Sequence, residues 1–196
     1  MAKVQMGPGT LVYPMPVFLV GANVGGKPNF MTVAWGGIVN GSPPMVSIAV
    51  RPTRHTCKGI RENMTFSVNI PSVDLVKEAD YCGMVSGARA DKAVVCGFAV
   101  SYGKLETAPL IDQCPVNLEC QVVHILDMGS NLLVAGRIEE AHVSEECLTD
   151  GNPDVLKIRP FTCVTSPARQ YQALGDIIGN AFSLGREFGT GDVPEN

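Results

Sequence analysis

Along the first 70 residues, short apolar runs are cut by clusters of glycine and proline. Residues 16–24 are apolar and rich in β-branched side chains, and the run stops at Gly25-Gly26-Lys27-Pro28. That pattern predicts a strand entering a turn. Residues 30–39 read as a second strand, ended by Gly41-Ser42-Pro43-Pro44. Residues 45–51 form a third, so nearly continuous in apolar character that it predicts burial on both faces. The period then changes. Residues 56–63 predict one or two helical turns, and 65–70 a strand. Ser72 is placed to cap a helix running to about Tyr81, with Asp74 in its first turn and Leu75, Val76 and Ala79 on one face. Residues 83–92 read as a loop, with a short helix or turn after it. In the second half, 117–126 and 131–143 predict two long strands joined by a hairpin at Asp127-Met128-Gly129-Ser130. Glu139-Glu140 takes the second of them into solvent, and Gly151-Asn152-Pro153 marks a further turn. From 171 to 188, Leu174, Ile177, Ile178, Ala181, Phe182 and Leu184 follow a helical period, which Gly175, Gly179 and Gly185 weaken. No internal repeat or domain boundary interrupts the chain. Short strands at these spacings predict one domain, 1–196, built as a barrel with helices packed outside it.

Composition narrows the possible partners. The 196 residues suffice for a full hydrophobic core, and 45% hydrophobic with 17% charged residues excludes a disordered chain. With a net charge of −4 and no run of Lys or Arg, nucleic acid is not expected as the main partner. The stretch 4–26 carries no charge, but Gly7, Pro8, Gly9, Pro14 and Pro16 interrupt it. It lacks the compact apolar segment of a secretory signal, and a membrane span needs about 18 to 20 continuous apolar residues. It reads as a loop followed by a buried strand, with no membrane partner. Seven cysteines stand at 57, 82, 96, 114, 120, 147 and 163, none in Cys-x-x-Cys spacing. An odd, irregular set fits a reducing cytoplasm better than a disulfide framework or zinc site.

One near-motif is rejected. Gly21 to Lys27 matches the first seven positions of a P-loop, but the eighth is Pro28, where a Ser or Thr must bind Mg²⁺. Proline also removes an amide from the phosphate cradle, and a strand pattern follows instead of a helix. No Gly-x-Gly-x-x-Gly is present either.

Two segments carry candidate chemistry. Arg51, Arg54, His55, Thr56 and Lys58 fall together just after a strand. Arginine grips phosphate through paired hydrogen bonds, and a helix start adds free amides. On these residues alone, a solvated charged turn is an equal reading. Asn29, Met31, Thr32 and Trp35 are spaced along a strand whose amides and carbonyls can meet the edge of a flat ring, while Met or Trp covers its faces. Asn29 and Thr32 would point to opposite faces of that strand. Trp35, the only tryptophan, serves equally as a core residue. Ser86, Gly87 and Lys92 share the loop after Cys82, where Gly87 allows close backbone approach and Lys92 is either a point charge for a ligand or a solvated surface residue. Cys82 reads as a small buried hydrophobe, and His124 and His142 as sheet histidines. No metal-ligand spacing and no nucleophile elbow appear.

Several stretches, in order along nearly the whole chain, carry a resemblance. They are Asn29-Phe30-Met31-Thr32-Val33-Ala34-Trp35, then Ser47 to Thr56 with Arg51-Pro52-Thr53-Arg54-His55-Thr56 at its end. Cys82-Gly83, Ser86-Gly87 and Asp91-Lys92 follow, then Leu118-Glu119-Cys120 and Tyr171 with Leu174-Gly175. On these the chain resembles the flavin reductase-like, FMN-binding split-barrel family. The resemblance implies a mainly β fold, a six-stranded antiparallel Greek-key split β-barrel with flanking helices. It also implies non-covalent FMN and a homodimer with the cofactor near the subunit interface. By position, Asn29, Met31, Thr32 and Trp35 would line the ring and ribityl chain. Arg51, His55 and Thr56 would lie at the phosphate, and Ser86, Gly87 and Lys92 would approach from the loop. Ala88-Arg89-Ala90 departs from the family's usual Arg-Asp-Val, so Arg89 is given no contact.

FMN passes one or two electrons, so the resemblance implies an electron-transfer flavoprotein serving redox partner proteins, within anaerobic sulfur-compound reduction. An NAD(P)H-dependent flavin or ferric reductase would use the same site. A third possibility is a binding protein in which the flavin is structural or absent.

Overall fold

The computed structural model describes residues 1–188. Its main strands are β1 (Phe18–Val24), β2 (Lys27–Val33), β3 (Gly36–Gly41), β4 (Pro44–Val50), β5 (Thr65–Ile70), β6 (Val116–Asp127) and β7 (Leu132–Val143). Three helices matter for the site: α1 (His55–Asn63), α2 (Val76–Met84) and α3 (Lys92–Val95). The seven strands form one antiparallel sheet in the order β2-β1-β5-β6-β7-β4-β3. Its two edges, β2 and β3, are consecutive in the chain. The Ala49 amide bonds the Trp35 carbonyl at 2.7 Å, so the link between these edges lies against β4. The sheet curls into a split barrel of seven strands where six were expected.

Alternation along each strand sorts side chains between two cores. Val20, Ala22, Met31, Val33, Val46, Ile48 and Phe66 point into the barrel, joined by Cys57 and Ile60 of α1. Leu19 and Phe30 point outward into a second cluster with Ala79 and Cys82 of α2, Ala93 of α3, and Phe98. Phe30 meets Phe98 edge to face with centroids 5.7 Å apart. Burial of a side chain of this size contributes roughly 1.5–3 kcal/mol. α1 closes on Met64, which takes left-handed φ of 54° and bonds its amide to the Ile60 carbonyl. Met15–Pro16, Phe161–Val164 and Gln170–Ala173 pair as a small separate sheet.

Three further expectations change. The run 30–39 is not one strand: it breaks at Ala34-Trp35, where the chain crosses the split. Ser72 caps a 3-10 turn, Val73–Leu75, and the α-helix begins at Val76. The tail is not a helix. After Gln170–Ala173 it has no regular structure until the 3-10 turn Leu184–Phe188, and Ile177, Ile178 and Phe182 are exposed. Its three glycines remove the helical preference, and no packing partner among the described residues restores it.

Among the described residues all seven cysteines are free, and no helix is long and apolar enough to cross a membrane.

Candidate functional site

The site is assembled on β2 and the first turn of α1. Asn29 donates from Nδ2 to Thr56 Oγ1 at 2.6 Å, and both residues are buried. The backbone of Gly87 rests against Asn29 and His55. A Cβ there would overlap Asn29 Oδ1 and come within 2.9 Å of His55 Cδ2, so only glycine permits the approach. Asn29, His55 and Gly87 thereby line a cavity of about 200 Å³, with Lys27 and Asp91 at its wall.

Further along the same strand, Met31, Thr32, Val33, Ala34 and Trp35 line a second cavity of about 290 Å³, with Ala49, Arg51 and Arg54 also on its wall. Trp35 is 42% exposed, which removes the core-residue reading of the only tryptophan. A third cavity, apolar and about 540 Å³, shares Ala34, Trp35 and Ala49 with the second. Thr10, Val12, Pro14, Met15 and Pro16 form its other side.

Other assigned residues are held by contacts across the chain. The Thr32 hydroxyl faces α2 and donates to the Ala79 carbonyl, opposite in direction to Asn29 as strand alternation predicts. Lys92 is not solvated. Only 3% exposed, it donates from Nζ to the Phe30 carbonyl at 2.7 Å and the Cys82 carbonyl at 2.9 Å. It thus pins the end of α2 and the start of α3 onto β2, a charge behind the wall of the site. Ser86 opens a tight turn, with its Oγ accepting from the Ala88 amide at 3.3 Å, and lines none of the three cavities. Arg54 belonged to the basic cluster but was given no ligand contact. It lines the second cavity while donating from Nη1 to the Gly83 carbonyl at 3.0 Å, and its signal was the Arg51-x-x-Arg54 spacing.

The electrostatics favour an anion. α1 begins without a side-chain cap and with no acid in its first turn, so its dipole and the His55 and Thr56 amides stay available, while the Cys57 amide donates to the Arg54 carbonyl at 3.1 Å. Arg51 is exposed, and its guanidinium has no ion-pair partner among the described residues. Burial, helped by Lys58 and Lys92, holds the His55 pKa below its ordinary value, so the ring is neutral at pH 7. Its Nδ1 is buried without a partner. Burial pushes the Cys82 thiol up to about 12, which makes it inert as a nucleophile. Donors of this kind around a glycine-lined cradle fit a phosphate group, and the cleft beside Trp35 fits a flat ring. Among the described residues no His, Cys, Asp and Glu are grouped to hold a metal ion.

The chain is similar to known proteins. The model of the flavin reductase like domain matches residues 10–157. The chain belongs to the flavin reductase-like family. The span that matches this family contains all three cavities. Two similar solved structures are flavoredoxins. That of Methanosarcina acetivorans is 41% identical, with a TM-score of 0.92 over 96% of this chain and 100% of that one. That of Desulfovibrio vulgaris (Miyazaki F) is 34% identical, with a TM-score of 0.88 over 94% of this chain and 100% of that one. An uncharacterized protein of Archaeoglobus fulgidus is 32% identical over 145 residues, 74% of this chain and 80% of its own length.

Proposed function

We propose that this flavin reductase-like protein binds FMN non-covalently and works as an electron-transfer flavoprotein of flavoredoxin type. The observation that carries the reading is the junction on β2. An anion cradle built from Asn29, His55, Gly87 and the start of α1 is followed, two residues along, by a cleft walled by Trp35 and Arg51. Asn29, His55 and the first amides of α1 would hold the phosphate, with Arg51 and Arg54 reaching towards it from the wall of the neighbouring cleft. Met31 to Trp35 would supply the ring's edge with backbone groups, and Trp35 would cover a face. Lys92 would fix the strand beneath it and add positive potential. Bound FMN would pass one or two electrons between a two-electron donor and a one-electron carrier. The chain's own part is to hold, orient and tune the ring, which requires no side-chain acid or base.

In this reading the protein is a cytoplasmic homodimer with the flavin near its interface, and its partners are redox proteins of anaerobic sulfur-compound reduction, such as that of thiosulfate or sulfite. An NAD(P)H-dependent flavin or ferric reductase is the alternative. The apolar cavity beyond Trp35, about 540 Å³, favours it, because that space can receive a second planar ligand. A visible spectrum of FMN-loaded protein before and after anaerobic NADH separates the two. A flavin spectrum that NADH leaves unbleached supports the carrier, and rapid bleaching supports the reductase.

A further inference from the structure

We propose that His55 meets the ligand's phosphate as a neutral Nε2–H donor, its tautomer fixed by a dry and partnerless Nδ1, so that a phosphate monoester binds without proton uptake by the protein. The inference rests on the FMN reading above and adds how the phosphate is recognised.

The geometry carries it. Nδ1 is out of contact with solvent and has no hydrogen-bond partner among the described residues. A buried N–H without an acceptor is costlier than a buried lone pair without a donor. The single proton of the neutral ring therefore sits on Nε2, the nitrogen bonded to the Cδ2 edge that Gly87 backs, in a ring that lines the cavity. A second proton would have to enter at Nδ1, where nothing accepts it.

Charges around the ring point the same way. Lys58 lies on its own helix, Arg54 precedes it, Lys92 faces it from α3, and Lys27 lines the same cavity. The one carboxylate on that cavity wall, Asp91, accepts from the Val94 amide at 3.2 Å as the cap of α3. Cations supply the attraction for the phosphate, while His55 supplies direction. Its pKa, lowered first by burial and then by Lys58 and Lys92, agrees with this division.

The test is calorimetric titration of the full-length protein with FMN from pH 5.5 to 9, in buffers of different ionisation heat, with riboflavin as the phosphate-free control. The expected FMN affinity rises towards neutral pH as the phosphate loses its second proton near pH 6, then stays level to pH 9. At pH 8 the binding heat should not depend on the buffer. His55→Gln, whose amide N–H takes the place of Nε2–H, should keep FMN affinity within about threefold, while His55→Ala should lose about tenfold or more. Uptake of one proton at pH 8, with affinity falling about tenfold per pH unit, would overturn the proposal and leave FMN binding intact. A glutamine variant as weak as the alanine one would also overturn it. Absence of FMN binding at every pH would overturn both this and the FMN reading.

Discussion

Two polar regions sit on the same barrel, and they differ in whether their groups are paired. On the outer face of β5 and β6, Ser67, Asn69, Asn117 and Glu119 are buried, yet each has partners. Asn69 Oδ1 accepts from the Ile111 amide at 3.0 Å and from Asn117 Nδ2 at 2.7 Å, while its Nδ2 donates to the Leu19 carbonyl at 2.8 Å. Glu119 accepts from the amides of Lys104 and Leu105 and lies 2.7 Å from His142 Nε2. This network clamps the segment 102–111 onto the sheet. Around β2 and α1 the pairing fails in places. Among the described residues Arg51 has no ion pair, and the helix has no side-chain cap. Satisfied polar groups fix a structure, whereas groups left unpaired around a cavity await a ligand.

The contrast can be broken by substitution. Asn69→Ala should have the largest effect, about 3 kcal/mol of stability, because several buried groups lose their partners together. Denaturant unfolding would show it, while FMN affinity should stay within about twofold. A large loss of affinity without loss of stability would place the network in the site. Arg51→Ala should do the reverse, weakening FMN by roughly 1.5–3 kcal/mol with its melting temperature unchanged. Unchanged affinity removes Arg51 from the phosphate contacts. Cys82→Ser should cost about 1 kcal/mol of stability, since a hydroxyl replaces a buried thiol, and should leave flavin reduction intact. Loss of electron transfer with flavin still bound would overturn the packing role of that thiol.

The smallest effect is one of pH. Burial pushes the Glu119 carboxyl up, but His142 and the Leu105 and Lys104 amides together outweigh it and hold its pKa below the ordinary value. A carboxylate whose folded pKa is depressed stabilises fully above its unfolded pKa, and that stabilisation is lost as pH falls through the folded one. Stability measured from pH 6 down to 3 should therefore fall less steeply in Glu119→Gln than in the native chain. Parallel curves would mean that the carboxylate adds no pH-dependent stability.

Much of the fold was legible because its signals are local. Gly25-Gly26 and Asp127 to Ser130 turn where the sequence places turns, and strands 65–70, 117–126 and 131–143 lie within one to a few residues of their predicted bounds. The segments 29–35 and 51–56 were legible as site candidates for the same reason: each is a contiguous string of chemistry at a strand end. What escaped depends on contacts across the chain. Lys92 reads as a loop lysine until the Phe30 carbonyl, 62 positions away, is placed against it. The Thr32 hydroxyl looks free until α2 brings Ala79 to it. In the tail, Leu174 to Leu184 carry helical spacing without a surface to pack on among the described residues, and spacing alone does not fold a helix.

The central claim is that the unpaired region is a phosphate site joined to a ring site. Parallel fluorescence titration of the desalted protein with FMN and with riboflavin tests it most directly. The account predicts that FMN binds at least about tenfold more tightly, the value of one charge-assisted hydrogen bond. Equal affinity for the two, or preference for riboflavin, would contradict it.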